Sequence, residues 1–198
     1  ASNVGIIISI APFFTALLTR WLLHEDPIGW AFFIGFIVAM AGICLIILNG
    51  TANLQLNPLG DMLAIFAAFL WAIYSVLTRK IAAMGIGTVA STRHIFFYGL
   101  VFMLPVLYLM DFQLDLGRFV NPVNLGNLVF LGLGASALCF ATWTFSVRVL
   151  GAVRTSIYIY LVPVITAICS VIILGEQLTI MSISGIILTL LGLLLSQR

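Results

Sequence analysis

Polar residues in this chain fall in narrow gaps between long apolar runs. A run of about 20 residues, rising about 1.5 Å per residue as a helix, crosses a hydrocarbon core roughly 30 Å thick. The pattern predicts seven membrane-spanning helices: Val4–Leu23, Ile28–Leu48, Leu59–Thr78, Ser91–Met110, Leu125–Ser146, Thr155–Gly175 and Leu178–Leu195. The longest gap, Asp111–Asn124, is too small for a domain of its own. The expected fold is all-α: a polytopic membrane helical bundle.

Composition agrees. Of 198 residues, 63% are hydrophobic and 7% charged, which leaves too little polar surface for a water-soluble fold. The formal net charge of +2 gives no reason to expect a nucleic-acid partner. Charge placement says more. With the sides numbered alternately, one collects Arg20, Arg79, Lys80, Arg93, Arg148, Arg154 and Arg198, and the other Arg118 alone. Seven against one predicts by the positive-inside rule that the C-terminus is cytoplasmic and that the chain begins outside. The expected location is the plasma membrane, that of a bacterial inner membrane. Asn49-Gly50-Thr51 fits the glycosylation pattern on the outer side, a motif frequent by chance. Cys44, Cys139 and Cys169 all fall inside apolar spans and read as small hydrophobic filler. Neither a metal site nor a cofactor is expected.

The chain repeats itself. PFFTALLTRWLLHE, residues 12–25, aligns with PVITAICSVIILGE, residues 163–176, at an offset of 151. Pro12 meets Pro163, Thr15 meets Thr166, Ala16 meets Ala167, Thr19 meets Ser170 and Glu25 meets Glu176. After a one-residue gap, Gly35 and Gly42 meet Gly185 and Gly192. The first span runs inward and its copy, five spans later, runs outward, so the copies are inverted. Inverted repeats are a design of secondary transporters, which hold substrate near the bilayer midplane between the copies.

The runs LWAIYSVLTRK, STRHIFF, GLGASALCFATWTFSVRVLGAVRTS, LVPVITAICSVIILGEQLT and SGIILTLLGLLLS together resemble a complete EamA repeat, the five-helix unit of the drug/metabolite transporter superfamily. APFFTALLTRWLLHEDPIGW and GFIVAMAGICLII resemble the last two helices of a preceding repeat. The resemblance implies residues 1–50 as the truncated first repeat and residues 57–198 as the complete second, within a ten-helix inverted-repeat fold. It also implies three further helices, upstream or from another chain, with a homodimer left open. His24-Glu25 departs from the Gly-Glu usual there.

Several residues are candidates for a substrate cavity. Pro12 and Pro163 lie near the centres of their spans and each removes a backbone donor, freeing the carbonyls of Ile8 and Ile159. They are the candidate hinges; unpaired Pro105 reads as a kink. Weakly polar faces recur at helical spacing: Ser9, Pro12, Thr15 and Thr19; Trp71, Tyr74, Ser75 and Thr78; Ser136, Cys139, Trp143 and Ser146; Ser156, Tyr160, Pro163, Thr166 and Ser170. Trp71, Tyr74, Trp143 and Tyr160 share the cytoplasmic half of the membrane, where rings could grip a small organic molecule. The competing reading is that the hydroxyls bond their own helices or neighbouring ones. Glu25, Glu176 and Asp61 sit at helix ends and read as stabilisers of those ends. Gly35 with Gly42, and Gly185 with Gly192, read as close helix packing.

A seven-helix receptor or photoreceptor is the alternative. A retinal protein needs a lysine in its last helix, and the only lysine is Lys80 in a gap. An enzyme is not expected, because no His, Asp or Glu converge at one depth. The reading is an alternating-access carrier for small organic metabolites. Amino acids or related compounds, exported, are what the resemblance implies.

Overall fold

The computed structural model describes residues 2–24, 29–48, 57–113, 116–175, 177 and 179–197. Among them, six stretches are long and apolar enough to cross a membrane: Val4–Leu23, Trp30–Leu48, Pro58–Ala83, Thr88–Leu109, Pro122–Leu150 and Ala152–Ile173. The seventh predicted span is the shorter apolar helix Ile180–Ser196. The protein is thus a polytopic helical bundle. Its contacts divide it into two units, Ala1–Leu77 with Leu150–Arg198, and Thr78–Val149.

In the first unit, the opening span is interrupted. Helix α1 (Ser2–Ile8) gives way at Ser9–Ile10 to α2 (Ala11–Leu23). Pro12 sits in the first turn of α2, where its missing N–H would have no partner anyway. Phe13 N–H reaches back only three residues, to the Ile10 carbonyl at 2.9 Å. The repeat-related span breaks at the matching place: α8 (Ala152–Ile157) tightens into a 3₁₀ turn at Tyr158–Tyr160 and resumes as α9 (Leu161–Leu174), with Pro163 in its first turn. Both breaks lie just upstream of the paired prolines, so the frayed ladder and the missing donor coincide.

The two spans also end alike. Gly175 closes α9 at φ 68°, the left-handed conformation glycine adopts without strain. His24, at the equivalent position, closes α2 in the same conformation at φ 52°, which a side chain makes unfavourable by roughly 1–2 kcal/mol. The departure from Gly-Glu therefore has a physical consequence. His24→Gly is expected to stabilise the protein by about 1 kcal/mol, read as a raised melting temperature in detergent; an unchanged or lowered one refutes it.

Helices α3 (Trp30–Leu48) and α10 (Ile180–Ser196) form the densest pairing of the first unit. Around them a core gathers Ala16, Phe32, Ala39, Ile43, Ile157, Tyr160 and Leu193. Phe13 of α2 stacks on Phe36 of α3 at 5.4 Å, and Phe14 meets Phe69 edge-on at 5.6 Å. Phe69 belongs to α4 (Pro58–Ala83), which starts with Pro58 at its first position and with the Asn57 side chain accepting from Gly60 N–H at 3.2 Å. Asp61 lies in that first turn, as the sequence led us to expect.

The second unit carries the end of α4, then α5 (Thr88–Leu109), a 3₁₀ turn at Leu116–Val120, α6 (Pro122–Val129), a π-helical stretch Phe130–Leu138, and α7 (Cys139–Leu150). Asn121 starts α6 by accepting from Val123 N–H at 3.0 Å. Three contacts tie this unit together. Phe96 meets Phe140 edge-on at 5.3 Å, Thr92 bonds Thr144 at 3.4 Å, and the Arg79 guanidinium donates to the Arg148 carbonyl at 2.8 Å. Ser136 lies inside the π-helical stretch, whereas Cys139, Trp143 and Ser146 belong to α7.

Candidate functional site

The glycines found in matched pairs meet each other across α3 and α10. A Cβ on Gly42 would lie 2.5 Å from Thr189 N and 2.6 Å from the Gly185 carbonyl oxygen. One on Gly185 would lie 2.7 Å from the Gly42 carbonyl oxygen and 2.8 Å from Ile46 N. At the other end of the seam Gly35 abuts Ser196 and Gly192, while Gly192 abuts Ala39. As residue numbers rise along α3 they fall along α10, so the helices run antiparallel. The repeat equates Gly35 with Gly185, Gly42 with Gly192, Ala39 with Thr189 and Ile46 with Ser196. Under that exchange each contact maps onto another: Gly35 against Ser196 becomes Gly185 against Ile46, and Gly42 against Thr189 becomes Gly192 against Ala39. The seam is a local two-fold contact between the two copies.

The paired broken spans sit against this seam differently. Helix α2 packs along α8, whereas the repeat-related elements α1 and α9 make no comparable contact among the described residues. Pro12 and Thr15 are buried, and Pro163 is half-buried while Thr166 is exposed. Ser9 and Tyr160, equivalent at the two breaks, are both buried.

Most candidate hydroxyls donate to their own helix. Ser9 donates to the Gly5 carbonyl at 2.9 Å, Thr15 to Ala11 at 2.9 Å, Ser75 to Trp71 at 2.9 Å and Thr166 to Val162 at 2.8 Å. Their donors are occupied locally. Two residues of the first unit differ. Thr19 Oγ1 and Tyr160 Oη are buried with no hydrogen-bond partner among the described residues. Nothing in the sequence separated Thr19 from its neighbours.

Of the rings, Trp71 and Tyr74 are half-buried neighbours on α4 with centroids 5.4 Å apart. Tyr160 is fully enclosed in the core with Ala16, Ile43 and Leu193. Trp143 is half-buried in the second unit, where Ser136 is half-buried and Cys139 exposed. Glu25 and Glu176 lie outside the described residues, as do Asp26-Pro27 and the Asn49-Gly50-Thr51 motif. Arg93 and His94 are exposed in the second turn of α5, where His94 Nδ1 lies 2.7 Å from the Ala90 carbonyl. No group of three or more His, Cys, Asp or Glu side chains able to hold a metal occurs among the described residues.

Residues 58–197 match the EamA-like transporter family. The chain belongs to that family. Its similarity to curated proteins runs along its whole length. An uncharacterised transporter of Archaeoglobus fulgidus is 28% identical over 99% of this chain and 66% of its own length. YyaM, an uncharacterised transporter of Bacillus subtilis, is 27% identical over 97% of this chain and 63% of its own. A probable terminal-alkyne amino-acid exporter of Streptantibioticus cattleyicolor is 29% identical over 100% and 64%. The chain therefore spans about two-thirds of the length of these relatives. One solved crystal structure superposes with a TM-score of 0.74 at 20% identity, covering 98% of this chain and 66% of that one. At that identity the likeness speaks for the fold alone.

Proposed function

We propose that this EamA chain is the larger part of an alternating-access carrier that exports small organic metabolites, amino acids or related compounds. The observation that carries the reading is the antiparallel glycine seam, in which the two copies exchange contacts about a local two-fold. A carrier needs a gate at each membrane face, and inverted copies supply both from similar parts. The one-sided packing of α2 on α8 suits a carrier shut at one end. Thr15 of α2 and Thr155 and Ser156 of α8 donate to backbone carbonyls of their own segments, so these donors stay satisfied if the helices part. The export of an amino acid rests on the name of one relative.

In this reading Ser9, Pro12, Thr15, Trp71, Tyr74, Ser75, Ser136, Cys139, Trp143, Tyr160, Pro163 and Thr166 line or shape the substrate path, and Pro12 and Pro163 are its hinges. Chain outside residues 1–198, or a second molecule, supplies the counterpart of the three spans between residues 58 and 150. The protein lies in the plasma membrane with its C-terminus cytoplasmic.

The test is flux in proteoliposomes carrying the full-length protein. Trp71→Ala is expected to reduce flux about tenfold or more, the loss of one ring contact of roughly 1.4 kcal/mol, with membrane insertion intact. Pro163→Ala is expected to slow turnover more than it weakens binding. Parental rates in both variants refute the assignment of path and hinge.

A further inference from the structure

The fifth apolar span is continuous and yet not uniform. From Phe130 to Leu138 its backbone is π-helical, with each N–H reaching five residues back instead of four. At its close Cys139 N–H donates to the carbonyls of Gly134 and Ser136, and from Cys139 onward the helix is α. A ladder that changes from five-residue to four-residue bonding passes over one carbonyl, and here it is that of Ala135. A carbonyl passed over inside a membrane span needs protein, water or ligand to satisfy it.

The residues around it leave it approachable. A Cβ built on Gly132 meets nothing within 4 Å. Ala135 is exposed and Ser136 half-buried. Ser136 also differs from the other hydroxyls of this span. Thr142 donates to Leu138 and Cys139, and Ser146 to Thr142; no hydrogen bond of the Ser136 hydroxyl is found among the described residues. One open acceptor and one uncommitted hydroxyl thus sit on adjacent residues, and Ser136 is the middle residue of the apolar stretch Pro122–Leu150. That is the depth at which carriers hold substrate.

We propose that the Ala135 carbonyl and the Ser136 hydroxyl form the site for the ammonium group of a zwitterionic amino acid. The proposal rests on the carrier reading and names the substrate group that this part of the path recognises. A carbonyl and a hydroxyl oxygen both accept from an N–H donor. No Asp or Glu lies in the middle of any apolar span to neutralise a bare cation, and an isolated charge is costly there. A zwitterion brings its own carboxylate and enters with no net charge.

Cys139, exposed and next to the site, is the reporter. In the full-length protein with Cys44→Ala and Cys169→Ala, reconstituted in proteoliposomes, the rate of Cys139 modification by the charged thiol reagent 2-aminoethyl methanethiosulfonate is measured. An equimolar mixture of the standard L-amino acids without cysteine is expected to slow that rate, and the same mixture N-acetylated to leave it unchanged. Ser136→Ala is expected to raise the half-protecting concentration about tenfold, equivalent to about 1.4 kcal/mol. The melting temperature of that variant should stay put, because the hydroxyl bonds nothing among the described residues. Cys139 inert to the reagent, no protection, equal protection by the N-acetylated mixture, or an unchanged half-protecting concentration in Ser136→Ala each overturn the site. Protection by sodium chloride alone assigns it to an inorganic cation and overturns the substrate assignment. Flux of the radiolabelled mixture separates the two readings: flux without protection leaves the carrier and removes the site, whereas neither flux nor protection removes both.

Discussion

Replacing Gly42 with leucine is expected to push α3 and α10 apart and to cost at least about 3 kcal/mol, the upper end of ordinary overpacking. The reason is what the new side chain meets. Its first carbon would lie 2.5 Å from Thr189 N and 2.6 Å from the Gly185 carbonyl oxygen, both backbone atoms that cannot rotate away. In lipid, helices associate through close van der Waals contact and not through a hydrophobic drive, so lost closeness is not compensated. Gly185→Leu, related to it along the same seam, is expected to cost a similar amount. The double variant should cost less than the sum, because the first substitution already separates the helices. Gly99→Ala is the control, since a Cβ there meets nothing within 4 Å, and alanine in a helix interior is favoured by roughly 0.5–1 kcal/mol over glycine. Thermal melting in detergent reads all four. A Gly42→Leu protein that melts with the parent would show that the seam does not hold these helices together.

The reach of the sequence follows from the same physics. Span number, the matched prolines and the glycine pairs were legible because each rests on a regular chemical pattern: apolar length, a missing N–H, a missing Cβ. That Gly35 and Gly42 pack closely was readable from spacing. That they pack on Gly192 and Gly185 was not, since a smooth helix face does not name its partner. The His24 departure was visible as a residue type, and its strain became visible only with φ 52°. The π-helical stretch was missed for a plainer reason: nothing in FLGLGASAL distinguishes a five-residue from a four-residue ladder. The hydroxyls were open to two readings in the sequence. The structure shows Ser9, Thr15, Ser75 and Thr166 donating to their own backbones, whereas Tyr160 Oη does not find a partner.

Tyr160 gives the second large effect, and its two substitutions should move in opposite directions. It is among the largest fully buried side chains, packed with residues of α2, α3 and α10. Truncation to alanine leaves a cavity where an aromatic ring was and is expected to cost about 3–5 kcal/mol. Phenylalanine keeps the ring and removes only the hydroxyl, which is buried without a partner among the described residues. A buried, unsatisfied hydroxyl destabilises by roughly 1–3 kcal/mol, so Tyr160→Phe is expected to be more stable than the parent. A protein retains such a group at a stability cost when another state uses it. On the carrier reading that state is the one in which α2 and α8 separate, giving the hydroxyl water or substrate. Tyr160→Phe should therefore melt higher and transport more slowly, with the conformation in which α2 packs on α8 favoured. A lower melting temperature would mean that the hydroxyl is satisfied in the folded protein. A higher melting temperature with parental flux would make Tyr160 a packing residue alone, with α2 and α8 parting, if they part, without its help.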